Sequence, residues 1–155
     1  MEKTEETQER AEPMPTRFWN AGEGRVFVGR LATGSDLVEE IERFCAAEQV
    51  NAAWVSLVGA MRRVAYAYYD QKERHYIELE TRDHHELSGF VGNVSLRDGK
   101  HFLHAHATFA NERGETVGGH LLPGTRVFVA EVQIREMADV SLVREHDEVT
   151  GLALW

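Results

Sequence analysis

Three histidines, His104, His106 and His120, lie within one stretch of 22 residues, HFLHAHATFANERGETVGGHLL, running from His101 to Leu122. Imidazole is uncharged near neutral pH and donates a nitrogen lone pair, so three imidazoles on one face make an open site for a divalent ion. Zinc is the commonest occupant, and a fourth position stays free for water or a ligand. The spacing supplies the shared face. Side chains alternate across a strand, so His104 and His106, two residues apart in an apolar run, point the same way. Asn111-Glu112-Arg113-Gly114-Glu115 reads as a hairpin turn in which Gly114 takes the left-handed conformation. If Asn111 and Glu115 flank the loop as a pair, paired positions sum to 226, which sets His120 opposite His106 and Leu122 opposite His104. A bulge at Gly118-Gly119 would shift that register by one residue and scatter the histidines.

Other reactive residue types fall into weaker patterns. His84 and His85 are consecutive, so a strand would aim them at opposite faces, and they read as loop residues. Glu131 shares a strand face with Val127 and Val129, where it can pair with Arg144, accept from an imidazole N–H, or sit on a solvated rim. Tyr66, Tyr68, Tyr69 and Tyr76 read as sheet aromatics first and a binding face second. Gly118-Gly119 lies in neither phosphate-loop pattern, no Gly-x-Ser-x-Gly element occurs, and Cys45, the single cysteine, falls on the apolar side of a helix with no base beside it. The chain therefore shows no complete acid, base and nucleophile set.

The scaffold that must position these side chains is suggested by the rest of the sequence. The 155 residues are 43% hydrophobic and 28% charged, which suits a single domain over residues 16–155 preceded by a disordered acidic tail over 1–15. The formal net charge is -9, and no basic cluster offsets it, so a phosphate backbone would be repelled and nucleic acid is not an expected partner. No run of 18 apolar residues occurs and the N-terminus is polar, so the chain is expected in the cytoplasm and not in a membrane. A first strand is predicted over Arg25 to Leu31. Thr33-Gly34-Ser35-Asp36 then opens a helix, with a hydroxyl cap and an acid in the first turn, and Leu37, Val38, Ile41, Phe44 and Cys45 form its apolar stripe. Trp54 to Val58 reads as a short strand buried on both faces, and Val64 to Tyr69 with Tyr76 to Thr81 as a hairpin. Glu86 to Leu96 is a strand bent at Gly89 and Gly92, closed by a turn at Arg97-Asp98-Gly99-Lys100. After the histidine hairpin come strands at Arg126 to Arg135 and near Val140 to Arg144, and an apolar terminus, Gly151 to Trp155, that docks on the domain. The expected class is α+β: a largely antiparallel sheet of about eight strands with one main helix and room for a second short one.

The arrangement resembles the PPC domain (plant and prokaryote conserved domain) over about residues 24 to 154. The residues that carry the likeness are Ser35-Asp36-Leu37, Val58-Gly59-Ala60, Glu86-Leu87-Ser88-Gly89 with Gly92-Asn93-Val94, and above all the run from His104 to Ile134, whose His-x-His and Gly118-Gly119-His120-Leu121 stand at hairpin spacing. Arg144 with Asp147 and Thr150-Gly151-Leu152 completes it. The resemblance implies a homotrimer and places His104, His106 and His120 at the family's histidine positions. Asn93 and Arg144 join Glu131 as candidates to support the triad or touch a ligand. Plant members act in transcriptional regulation through a preceding AT-hook, whose Arg-Gly-Arg-Pro core inserts arginines into the minor groove. That core is missing from this sequence.

Three functions are therefore weighed. The first is a homotrimer carrying a divalent metal, zinc above others, on His104, His106 and His120, with a small ligand or a metal-assisted reaction there. The second is a DNA-associated regulatory module. The third is a structural trimer that recruits another protein.

Overall fold

The structure, a computed structural model, describes Glu12 and residues 14–155; most of the expected acidic tail, residues 1–11 and 13, lies outside the described residues. The elements run β1 (Gly22–Leu31), α1 (Leu37–Glu48), β2 (Ala53–Asp70), β3 (His75–Thr81), β4 (His85–Arg97), β5 (Lys100–Ala110), β6 (Thr116–Leu121), β7 (Arg126–Ala138), β8 (Val143–His146) and β9 (Ala153–Leu154). The sheet order is β1-β7-β2-β6-β5-β4-β8-β9, with β3 paired to β2 and a further pairing of β2 to β4. Because β2 pairs with both β4 and β6, and β5 joins those two, the strands β2, β6, β5 and β4 close a circuit. All pairings are antiparallel except β4 with β8, which is parallel. The α+β class and the dominance of antiparallel pairing agree with the sequence reading.

The longest strand is its main departure. Trp54 to Val58 and Val64 to Tyr69 belong to one 18-residue strand, β2, which bends through register shifts opposite both β4 and β7. Nor is its first part buried on both faces. Val55 is buried whereas Trp54 and Val58 are exposed, the alternation of a sheet covered on one side. Nine strands and one helix are found among the described residues, so the second short helix is not formed there.

Helix α1 begins one residue later than a hydroxyl cap would place it. Asp36 itself is the N-cap, with its Oδ1 accepting from the backbone N–H of Val38 and Glu39 at 3.1 and 3.2 Å, and the acids of the first turn are Glu39 and Glu40. Gln49, left-handed at φ 57°, ends the helix. Leu37, Val38, Ile41 and Cys45 face inward as their spacing predicts, while Phe44 lies at the edge, edge-on to Phe27. Together with Phe109, Val64, Val94 and Val127 they form a core in which each named side chain is almost fully removed from water. Truncating the largest of them, Phe109, to alanine carries a cost of about 3–5 kcal/mol. Burial also pushes the Cys45 thiol up to about 12, which makes it an inert apolar side chain.

Candidate metal centre

Strand β5 explains why two of the histidines face away from this core. Leu103, Ala105, Ala107 and Phe109 alternate inward, so His104 and His106 emerge on the opposite face, His104 half-buried and His106 exposed. The turn forms as its residues demand. Gly114 has φ 74°, Asn111 N–H donates to Glu115 O at 3.0 Å, and Gly114 N–H returns to Asn111 O at 2.9 Å. The register follows: Ala110 pairs with Thr116, Ala107 with Gly119 and His106 with His120.

No bulge intervenes at Gly118-Gly119; the two glycines serve a different need. Strand β6 lies between β5 and β2, and a Cβ on Gly118 would fall 2.3 Å from Ala107 O, one on Gly119 2.6 Å from Ala67 O. Beyond His120 the strand leaves β5. Leu121 pairs with Tyr66 of β2 and Leu122 N–H donates to Ala65 O, so Leu122 does not stand opposite His104.

The three imidazoles meet. Ring centroids are 5.3 Å apart for His104 and His106, 5.2 Å for His104 and His120, and 5.7 Å for His106 and His120. One ring nitrogen from each lies within 4.8 Å of the others. A tetrahedral centre with bonds of about 2.0–2.1 Å spaces its nitrogens about 3.4 Å apart, so a small rotation of the rings closes the set. Electrostatics keep the ligands ready. Burial, with Arg144 and His106 adding to it, lowers His104 to about 4. Burial, then His104 and His106, lowers His120 to about 4 as well. Both rings are thus neutral, with a lone pair to offer, across the physiological range. One further feature fits an ion: Nδ1 of His120 is buried without a hydrogen-bond partner among the described residues.

Of the supporting candidates, Arg144 and Asn93 are at the site and Glu131 is not. Asn93 pairs with His104 across β4 and β5. Its Oδ1 accepts from Arg144 Nη2 at 2.9 Å, and the same nitrogen lies 3.4 Å from His104 Nδ1. Arg144 is fixed further by Nε donating to Ser95 Oγ at 2.8 Å and Nη1 donating to Ala153 O at 3.0 Å. Glu131 projects from β7 into solvent, between Arg30 of β1 and Val58 of β2 in the sheet register, and neither pairs with Arg144 nor meets an imidazole. The cause is local. Register shifts where β2 passes Val127 and Val129 break the alternation, so Val127 is buried, Val129 is exposed, and Glu131 follows the outward phase. His84 lies in the loop before β4, and His85 opens that strand with Nδ1 on Asp83 O at 2.8 Å, both apart from the triad.

Two further side chains stand at the site: Tyr76, which the sequence places on a sheet and only secondarily on a binding face, and Trp155, which it places in an apolar terminus. The Tyr76 ring lies 4.9 Å from that of His120, and Trp155 lies beside Arg144, its ring centre 5.9 Å from the guanidinium carbon. The β2–β3 hairpin sets Tyr76 opposite Tyr69 as its register predicts, but only the pairing of β2 with β6, which sets Ala67 opposite His120, carries that hairpin to the histidines. The triad borders three cavities, of about 760, 870 and 710 Å³, and His104 lines all of them.

Known proteins share this fold. The Plants and Prokaryotes Conserved (PCC) domain, the domain also abbreviated PPC, matches residues 20–138. A crystal structure of a metal-containing protein from Archaeoglobus fulgidus is 36% identical and superimposes with a TM-score of 0.86, covering 90% of this chain and 99% of that one. A plant- and prokaryote-conserved protein from Pyrococcus horikoshii is 32% identical with a TM-score of 0.85, covering 90% and 96%. Among curated sequences, the bifunctional protein GlmU of Synechococcus sp. (strain JA-3-3Ab) is 33% identical over 144 residues, which are 92% of this chain and 21% of that protein. The chain thus spans about a fifth of the length of the curated relatives it matches. With the match over residues 20–138 and the histidine hairpin in register, the chain belongs to the Plants and Prokaryotes Conserved domain family.

Proposed function

We propose that this protein binds a divalent metal ion, zinc first among candidates, through His104, His106 and His120, and presents it to a small ligand. The observation that carries the reading is the convergence of three ligand nitrogens within 4.8 Å, two of them on rings held neutral and one ring bearing a buried unpartnered nitrogen. Asn93 supports the site from beneath by fixing Arg144, and Tyr76 holds the His120 ring from the side. A metal bound by three imidazoles keeps a position for an outside donor and acts there as a Lewis acid. The metal-containing relative from Archaeoglobus fulgidus is consistent with this reading.

Assembly as a homotrimer belongs to the same proposal. Val28, Val58 and Val91 project from β1, β2 and β4 of one sheet with 79%, 59% and 60% exposure, apolar side chains that a neighbouring copy would cover. The net charge of -9 weighs against a duplex-binding role for this chain.

The test is His106→Ala. Because His106 is exposed and lies outside the core, the variant is expected to keep the fold and a mass in light scattering of three chains, while its zinc content falls to background. Retention of zinc by His106→Ala would refute the triad as the site.

A further inference from the structure

Arg144 is 7% exposed, yet each of its close hydrogen bonds goes to a neutral acceptor: Ser95 Oγ, Asn93 Oδ1 and the carbonyl of Ala153. No ion pair to it occurs among the described residues. The charge that bears on it most strongly is another cation, Arg97. None of the acids lining the adjoining 870 Å³ cavity pairs with it: Glu42 accepts from Leu103 N–H at 2.9 Å, Asp98 lies 3.9 Å from Arg97, and Glu145, which lines both cavities, makes no ion pair among the described residues. A buried guanidinium without an anion is costly, and a divalent ion on three neutral imidazoles beside it would raise the local charge to about +3. Among the described residues no ion pair offsets that charge.

The contact between Arg144 and His104 points the same way. A guanidinium can only donate, so it meets a lone pair on His104 Nδ1 at 3.4 Å. If a metal takes that lone pair, Arg144 loses its acceptor. If a metal takes Nε2, Nδ1 must carry a proton and again cannot accept. Loading the triad therefore frees an Arg144 N–H beside the metal in either case.

The surroundings indicate what meets that N–H. The 760 Å³ cavity onto which Arg144 and His104 both open is walled by Trp19, Trp155, Val143 and Leu154, with Arg17 and Glu145 also in its lining, and Trp155 carries a buried indole N–H without a partner among the described residues. The aromatic and aliphatic side chains among them suit an apolar body.

We propose that Arg144 and the histidine triad together form a receptor for a small organic carboxylate with an apolar or aromatic body, its carboxylate held between the guanidinium and the metal. The inference rests on the metal reading above. It differs from that reading in making Arg144 a ligand-binding residue and not merely a tie between β4, β8 and β9.

Cobalt(II) is the probe, because its visible bands report what joins the coordination sphere. Adding benzoate to the cobalt-loaded protein is expected to change those bands saturably, whereas benzamide, of the same shape but neutral, leaves them unchanged. Arg144→Gln should take up cobalt as the parent does and bind benzoate at least about tenfold more weakly, the scale of losing a charge-assisted hydrogen bond. Cobalt uptake without a benzoate response, equal responses to benzoate and benzamide, or undiminished benzoate binding by Arg144→Gln would each overturn the carboxylate receptor while leaving the metal site standing. Phosphate binding as tight as benzoate would overturn the organic class. Failure to take up cobalt at all would instead refute the triad. Should Arg144→Gln not fold, the benzoate and benzamide pair on the parent protein decides the question alone.

Discussion

Two buried polar clusters in this molecule differ in one respect. At the start of α1, Asp36 and Thr125 are tied off completely. Asp36 caps the helix through one oxygen and accepts from Gly124 N–H at 2.5 Å through the other, while Thr125 Oγ1 accepts from Ala65 N–H at 3.0 Å and donates to a backbone carbonyl. At the histidine face, by contrast, His120 Nδ1 has no partner and Arg144 has no counter-ion among the described residues. Burial makes an unpaired polar group costly, so the complete cluster is accounted for by folding alone and the incomplete one is not. The histidine face is left with unused bonding capacity, which a ligand can take up.

The contrast can be broken experimentally. Asp36→Ala should have the largest effect, because it removes a helix cap and strands Gly124 N–H: a loss of about 2–4 kcal/mol, seen as a fall in Tm of about 6–12 °C by calorimetry. Acid should act selectively on the other cluster. His104 and His120 are lowered to about 4 from an ordinary value of 6.5, so between those limits the unfolded chain binds protons that the folded chain refuses. The metal-free protein is therefore expected to lose stability as pH falls from 6.5 toward 4. Urea unfolding at a series of pH values checks this, and a His104→Gln/His120→Gln variant should show a shallower dependence. The smallest effect is expected for His120→Leu, which replaces an unpartnered ring by an apolar side chain. Its metal-free stability should stay within about 1 kcal/mol of the parent, while zinc no longer raises its Tm.

The same two clusters show what a sequence reveals. The hairpin is legible because its determinants are local: the period of two in β5, a five-residue loop with Gly114, and a register that follows by counting to His120. The bulge at Gly118-Gly119 that would scatter the histidines does not form; glycine is needed there because β6 lies close against Ala107 of β5 on one side and Ala67 of β2, far away in sequence, on the other. Of the readings open for Glu131, the solvated rim is the one the structure shows, and for a related reason. Its face was inferred from strict alternation along β7, and the irregular pairing with β2 breaks it. Only the family resemblance sets Asn93 and Arg144 beside the histidines, since no local pattern announces that β8 runs parallel to β4 and brings a guanidinium to His104. Tyr76 and Trp155 reach the site through tertiary pairing alone.

The central claim is that the histidine face is incomplete because it holds a metal. Its most direct test is the metal content of protein purified without a histidine tag and equilibrated with zinc, measured by mass spectrometry against protein concentration. The account predicts about one ion per chain, removed by a chelator and restored on re-addition with a rise in Tm. Less than about a tenth of an equivalent, with Tm unchanged by zinc, would contradict it.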